Sequence, residues 1–260
     1  MKSVLISQIW ALALNVWREA SRDRLVHILA SGGVLLMFFS LVLGELSVGG
    51  QLRIVQTTGF LILGMWGLLA VIYLGSEVLK REIQRKTVYL VLSRPVSRST
   101  FLAGKFFGML LVLATLYCLL ACSWLIMLKF KAIPVTHSHF WALLFIWGEW
   151  ILLAALSLFF ASFTSPLLHN FFLISIYFFG HWSSDLKIFS ENAENLWLKK
   201  FLILLYYALP NLEALNFRAA ALYSEPVSMA LLAEAVLVLT CWIATALMAA
   251  NYLFIRRKLL

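Results

Sequence analysis

The chain has 260 residues, of which 63% are hydrophobic and only 13% charged. A soluble domain has about 45–50% apolar and about 25% charged residues, and a single core of this size could not bury the apolar excess. Composition therefore excludes a soluble domain and predicts an all-α polytopic membrane protein. The net charge of +9 does not indicate nucleic-acid binding, because the basic residues form short clusters between apolar runs.

The amino-terminal segment, residues 1–25, predicts an amphipathic helix at the membrane interface. Residues with apolar side chains recur on one helical face, at about 100° per residue: Ile6, Ile9, Trp10, Ala13, Val16, Trp17 and Ala20. Polar residues, among them Arg18 and Arg22, occupy the opposite face. The alternative is that the first transmembrane helix begins early, but the unbroken polar stripe favours the interfacial helix.

Six apolar runs then predict six transmembrane helices, each close to or above the roughly 17–25 residues that cross the hydrocarbon core. The predicted spans are Val26–Leu46, Thr58–Leu79, Phe101–Leu128, Phe140–Phe163, Pro166–Trp182 and Met229–Phe254. The fifth is the shortest of them, and it follows a very tight turn.

The Lys and Arg residues are distributed unequally between the two sides of this topology. Fourteen fall on the side of the two termini and of the loop between spans two and three, and seven fall on the other side. Because cytoplasmic loops are enriched in Lys and Arg, both termini and the long basic loop are predicted to be cytoplasmic. The localisation predicted is a bacterial inner membrane.

Residues 183–228 are predicted to be an extracytoplasmic or re-entrant segment. Phe201–Leu209 is apolar but too short to span, and with the stretch to Tyr223 it predicts one or two interfacial or re-entrant helices. A seventh crossing here is the alternative. It would place the basic carboxyl terminus outside the cytoplasm, against the distribution of Lys and Arg.

The segment Glu77–Gly108 joins spans two and three. The second span is predicted to continue as a charged helix towards Lys86, followed by the apolar patch Val88–Leu92 and a break at Pro95. A projection with charged and apolar faces suits docking of a soluble partner. From the residues alone, a basic loop held near anionic headgroups is an equal alternative.

This segment resembles the signature region of ABC-2 type permeases, the transmembrane subunits of many bacterial ABC exporters. The residues that carry the resemblance are Arg81-Glu82, Thr87, Val88–Leu92, Pro95, Ser97-Arg98, Gly104-Lys105 and Gly108. The Gly usual before the Thr is Lys86 in this chain. The resemblance extends to the amino-terminal helix, the six-span layout and Leu209-Pro210-Asn211-Leu212, so it covers residues 1–260 as one transmembrane domain. The subgroup most similar contains the permease of the nitrous-oxide-reductase maturation transporter.

The resemblance implies that residues 77–100 include a coupling helix that docks on a separate ABC ATPase. Its implied coupling residues are Glu77, Arg81, Glu82, Arg85, Thr87, Tyr89, Arg94 and Pro95. It also implies a second permease subunit, as a homodimer, and allows a periplasmic accessory protein. ATP and Mg²⁺ are expected on the partner and no cofactor on this chain, because Gly104-Lys105 lacks the other residues of a phosphate-binding loop.

Two carboxylates inside predicted spans are candidates for the translocation path. Glu149 lies near the middle of span four, where a charge costs roughly 2.5–3.5 kcal/mol, so it either lines a path or pairs within the bundle. Glu234 lies nearer the end of span six. Cys118 and Cys122 share a helix face, but no further ligands are visible, and no metal site is predicted.

Two other classes of function remain as alternatives. A membrane-embedded enzyme would need paired catalytic groups at compatible depth. No His-Glu-x-x-His, Gly-x-Ser-x-Gly or paired aspartates occur, so no catalytic residue is predicted. A secondary transporter driven by an ion gradient would need several ionisable groups in its spans and often an internal repeat. Glu149 and Glu234 are the candidates for such groups, and no internal repeat is obvious.

Overall fold

A computed structural model describes residues 2–46, 50–84 and 97–256, and the described residues form ten α-helices and one 3₁₀ turn. The helices are α1 Lys2–Ala20, α2 Arg24–Glu45, α3 Gln51–Gln84, α4 Arg98–Phe130, α5 His137–Ala161, α6 Pro166–His181, α7 Ser183–Asn192, α8 Leu196–Ala208, α9 Arg218–Leu222 and α10 Met229–Arg256. The 3₁₀ turn, Glu213–Leu215, precedes α9. The prediction of an all-α polytopic membrane protein is confirmed.

Five helical segments are long and apolar enough to cross a membrane. They are Arg24–Glu45, Gln51–Glu77, Arg98–Phe130, His137–Ala161 and Met229–Arg256. The remaining predicted span corresponds to α6, which has 16 residues and a length of about 24 Å, less than the roughly 30 Å of hydrocarbon. Its short length brings its carboxyl end to the middle of the bundle.

Helix α6 and the chain after it cross the bundle in two steps. Helices α5 and α10 run in the same direction. Ser138, at the start of α5, contacts Glu225, just before α10, and about ten residues further along both helices Gly148 contacts Leu239. The chain between them must therefore return along α5. Helix α6 makes the first half of the return, up to the level of Glu149, and the residues from Arg218 to Glu225 make the second half. Helices α7 and α8 form an excursion between the two halves.

One end of the bundle, which we call the basic end, is where α3 ends, α4 begins and α10 ends. There the Arg98 side chain donates a hydrogen bond to the Ile255 carbonyl at 2.7 Å, and the Phe101 and Phe254 rings stack at 5.9 Å. Ser97 caps α4, since its hydroxyl accepts a hydrogen bond from the Thr100 amide at 3.1 Å. These contacts fix the start of α4 to the end of α10. We call the opposite end the distal end.

Helix α1 lies along the first half of α4, and the two helices run in the same direction. A Cβ added at Gly104 or Gly108 would lie 2.6 Å from the Cβ of Leu12 or Val16, so these two glycines allow the close contact. The predicted apolar face of α1 is divided by this packing. Ala13, Val16 and Ala20 are buried, while Ile6, Trp10 and Trp17 are exposed. Exposed tryptophans on one side agree with an interfacial helix, and that placement stays a prediction.

Tryptophan side chains fill the spaces that glycines leave between spans. The Trp150 indole of α5 lies over Gly67 of α3 and donates a hydrogen bond to the Leu63 carbonyl at 3.1 Å. Trp66 lies over Gly33 and donates to the Leu29 carbonyl at 2.6 Å, which joins α3 to α2. These indoles satisfy their N–H groups on helix carbonyls, so they fix the helix register as well as filling volume.

Candidate functional site

Glu149 is the central residue of α5, and its charge is paired. Its carboxylate is 2% exposed, and its Oε2 lies 3.1 Å from Nη2 of Arg218. On the other side, its Oε1 lies 3.6 Å from Nε2 of His181, at the carboxyl end of α6. A buried charge is tolerated in a membrane bundle when an opposite charge and hydrogen bonds compensate for its desolvation. Arg218 supplies that compensation.

Arg218 reaches this depth because the chain before it dips into the bundle. We call residues 209–225 the inserted segment. The Leu212 amide donates to the Gly180 carbonyl at 3.1 Å, and the Ser183 hydroxyl donates to the Asn211 side chain at 2.5 Å. Phe217 packs on Phe145 of α5 at 4.7 Å between ring centroids. The inserted segment is therefore held from α6, α7 and α5 before α9 begins.

The far end of the inserted segment is anchored at the distal end of the bundle. The Arg53 side chain, at the start of α3, lies 4.5 Å over the Tyr223 ring and hydrogen-bonds its hydroxyl. The Ser138 hydroxyl donates to the Glu225 carbonyl at 2.6 Å. The segment thus extends from the distal end to the level of Glu149, and it contacts α3, α5 and α6.

Gly64, the central residue of the spanning part of α3, provides the room for Arg218. A Cβ at this position would lie 2.8 Å from Nη2 of Arg218 and 2.9 Å from the hydroxyl oxygen of Tyr177. Both polar groups therefore occupy the space that a side chain would take. Glu149, Arg218, His181 and Tyr177 form what we call the buried cluster, at mid-depth of α3 and α5.

The buried cluster has unused hydrogen-bonding capacity. Among the described residues, the buried atoms without a hydrogen-bond partner include Oε1 of Glu149, Nε2 of His181 and Nε of Arg218. The His181 Nδ1 lies 2.9 Å from the Tyr177 carbonyl oxygen, which only accepts, so Nδ1 carries the hydrogen. In the neutral ring Nε2 then faces Glu149 as an acceptor. One polar ligand or one proton could therefore be held between these atoms.

Glu149 was identified from the sequence, whereas Arg218 and His181 were not. The structure pairs Glu149 with Arg218 within the bundle, and its place on a translocation path stays a prediction. A lone carboxylate at mid-span signals that an opposite charge must be near, but sequence spacing does not say which one. Glu234 lies elsewhere: it is exposed on α10, and in the described part of the chain no ion pair joins it to the buried cluster.

The predicted coupling residues fall partly within the described helices. Glu77 lies on α3 and is half-buried, and Arg81 and Glu82 lie in the last turns of the same helix. Helix α3 passes the predicted end of span two at Leu79 without a break. The other predicted coupling residues, Arg85, Thr87, Tyr89, Arg94 and Pro95, lie outside the described residues.

Other polar candidates do not form a site. Cys118 and Cys122 are exposed, and no group of three metal-ligating side chains occurs in the part of the chain that the structure describes. Gly104-Lys105 lies within α4, where Lys105 is buried and Gly104 packs on α1. A phosphate-binding loop has its glycines in a loop before a helix, so this Gly-Lys pair serves helix packing.

Comparison with known protein families identifies the family of this chain. The family model described as ABC-2 family transporter protein matches residues 10–259, which is nearly the whole chain. No curated protein matches the chain. The matched range includes all of the spans, the segment between α3 and α4, and the buried cluster.

Proposed function

Because the chain belongs to the ABC-2 family of transporter proteins, we propose that it is the permease subunit of an ABC exporter, driven by ATP hydrolysis on a separate ATPase. The proposal adds three points to the family assignment. The ATPase docks at the basic end, the basic end faces the cytoplasm of a bacterial inner membrane, and a substrate leaves past the buried cluster. ATP and Mg²⁺ would be bound by the ATPase.

The continuity of α3 is the observation that carries this proposal. Helix α3 has 34 residues and a length of about 51 Å, so it extends well beyond roughly 30 Å of hydrocarbon. The same rigid helix carries Gly64, on which the buried cluster packs, and Arg81 and Glu82 near its end. A displacement at the basic end would therefore act directly on the packing around the cluster.

The other side of the proposed docking segment is also connected to the bundle. Helix α4 begins directly after that segment, and Arg98 and Phe101 fix its start to α10. Movement of the segment by the ATPase would thus shift α3 against the unit formed by α1, α4 and α10. Rigid-body movement of packed helices is a common means of conformational change.

A second copy of the permease completes the proposed assembly. Helices α2 and α10 are mostly exposed on their apolar faces, so each is covered either by lipid or by another subunit. We propose a homodimer in which the translocation path lies between the two copies. Glu149 would face that path when the inserted segment moves, and the exposed Glu234 would lie nearer its distal mouth. A periplasmic accessory protein could dock at this mouth.

The coupling proposal predicts that reversing the charge of Glu82 abolishes ATPase capture. The chain carrying Glu82→Lys is purified from its native membrane, and vanadate-sensitive ATP hydrolysis in the eluate is compared with that of the unaltered chain. We expect a loss of about tenfold or more, because a reversed charge at a docking surface brings like charges together. Glu191→Lys, the same change at an exposed site on α7, should have no effect.

Two results would contradict the proposal. Equal ATPase activity in the Glu82→Lys and Glu191→Lys preparations would place the docking surface elsewhere. Transport by the purified chain alone, in vesicles with a proton gradient and no nucleotide, would identify a secondary transporter instead.

A further inference from the structure

We propose that Arg218 binds the anionic group of an amphiphilic substrate, which replaces Glu149 when the inserted segment moves. This inference deepens the proposed function and rests on it, because it concerns the substrate class at the buried cluster. Arg218 reaches this position through α9 and the turn before it, whereas Glu149 is fixed in the middle of α5. Arg218 is therefore the partner that can move away.

The inserted segment enters the middle of the bundle without being part of a transmembrane helix. Its backbone around Pro210–Phe217 is irregular except for one 3₁₀ turn, yet it lies near mid-depth of α3 and α5. Irregular backbone at that depth is stable only where it is buried in protein or lines a cavity. In secondary transporters, interrupted helices at this depth form the substrate site. The segment is held by buried side chains such as Leu212 and Phe217 and by side-chain hydrogen bonds at Asn211 and Glu225, and its displacement would exchange these contacts without unfolding a transmembrane helix.

An anion rather than a cation is indicated by the partners that remain after separation. Glu149 still faces His181, whose Nε2 lies 3.6 Å from Oε1. Arg218 forms its one ion pair with Glu149 in the described part of the chain. The neighbouring Glu213 carboxylate already accepts two hydrogen bonds from the Asn216 side chain, at 3.0 and 3.1 Å. Arg218 is therefore the charge that needs a new partner, and that partner must be an anion.

One added proton leaves both new pairs without net charge, the pair of Arg218 with the anion and the pair of Glu149 with His181. Since Nδ1 of His181 donates to the Tyr177 carbonyl, Nε2 and Oε1 of Glu149 are two facing acceptors, and a proton taken from solvent can bridge them. Arg218 then pairs with the anion, and Glu149 with the protonated His181. The titratable and charged groups that face Glu149 from the elements around it are Tyr117, Tyr177, His181, Glu213 and Arg218.

The walls of the site favour a ligand with an apolar part. The Phe145 and Phe217 rings pack at 4.7 Å, and these two residues lie one helical turn before Glu149 and directly before Arg218 in the chain. A small inorganic anion would leave these apolar surfaces without contacts once the segment had moved. An amphiphile can cover them with its chain while its anionic group binds Arg218.

The test measures the binding of three probes to the purified chain in nanodiscs of zwitterionic lipid. Decanesulfonate is an anionic amphiphile, decyltrimethylammonium a cationic one with the same chain, and inorganic sulfate an anion without a chain. Affinity is measured by calorimetry, and the shift in unfolding temperature on adding each probe is measured in parallel. We expect preferential binding of decanesulfonate.

Two variants assign the binding to Arg218. In Glu149→Gln, Arg218 no longer has an internal counter-charge, so the state in which Arg218 is available to an anion becomes the dominant one. Affinity for decanesulfonate should therefore rise by at least about tenfold. The double variant Glu149→Gln, Arg218→Gln keeps a neutral polar pair and should lose the preference for the anion. Glu45→Gln, at an exposed pair with Lys131, is the matched control and should bind as the unaltered chain does.

A pH series tests the proton. The charge of decanesulfonate is constant between about pH 6 and 8, so a change of its affinity in this range reports a proton bound by the chain. Its binding to the unaltered chain should tighten towards the lower pH, and its binding to Glu149→Gln should not, because that variant needs no proton.

Several outcomes would overturn the inference. The double variant could bind decanesulfonate as tightly as the unaltered chain does, or decyltrimethylammonium could bind as tightly as decanesulfonate. Sulfate binding as tightly as decanesulfonate would mean that the ligand is a free anion and not an amphiphile. The assay needs no ATPase, so its failure is separate from a failure of the coupling proposal. If the Glu82→Lys result stands and decanesulfonate does not bind, only the substrate class is wrong.

Discussion

Neutralising either member of the Glu149–Arg218 ion pair is expected to lower the free energy of unfolding by about 3–5 kcal/mol, because the remaining charge stays buried without its partner. The variants are Glu149→Gln and Arg218→Gln. Their unfolding temperatures, measured in detergent without added ligand, should both fall clearly below that of the unaltered chain.

The double variant and a surface pair serve as controls for this prediction. Glu149→Gln combined with Arg218→Gln should recover most of the loss, since two neutral amides can hydrogen-bond to each other in the same space. Glu45→Gln breaks the exposed pair with Lys131, and an exposed pair contributes only about 0–1 kcal/mol. If Glu149→Gln were no more destabilising than Glu45→Gln, the pair would not stabilise the bundle.

Adding one methyl group at Gly67 is expected to destabilise the packing of α3 on α5 by about 1–3 kcal/mol or more. In Gly67→Ala the new Cβ would lie 1.9 Å from Nε1 of Trp150, a distance that forces the indole to move. Trp150 is fully buried, and its N–H donates to the Leu63 carbonyl, so displacement also leaves a buried donor unpaired. The measurement is again the unfolding temperature in detergent.

Gly32→Ala is the matched control, since this glycine also lies against a tryptophan. Its added Cβ would lie 3.3 Å from the Trp66 ring, a contact that a small shift relieves. Alanine also favours a helix over glycine by about 1 kcal/mol, so the net change at Gly32 should be small. If Gly32→Ala lowered the unfolding temperature as much as Gly67→Ala does, the cause would be the close packing of helices at glycines in general and not the contact with Trp150.

Much of the fold follows from local patterns in the sequence. Five predicted spans correspond to helices long enough to cross a membrane, because a run of about 20 apolar residues can satisfy its backbone in lipid only as a helix. The continuation of span two into a charged helix was also predicted, and α3 reaches Gln84. Gly104 and Gly108, four residues apart, allow a close helix contact, and its partner is α1 of the same chain.

The residues around Glu149 show where local patterns end. The sequence by itself determined that this carboxylate lies at mid-span and needs compensation, since burial of a charge in an apolar run is unfavourable wherever the chain goes next. It also determined the membrane class and the positions of five helices that are long and apolar enough to cross a membrane. Arg218, by contrast, is 69 residues further along the chain, in a stretch whose composition indicated only an interfacial or re-entrant segment.

Tertiary structure alone decided that Arg218 and His181 meet Glu149. That outcome depends on the short length of α6, on the space at Gly64 and on the path of the inserted segment, which are set by contacts between distant parts of the chain. Periodicity and composition report the environment that each residue prefers. Which distant residue provides that environment depends on how the helices pack together, and this packing is a property of the whole fold.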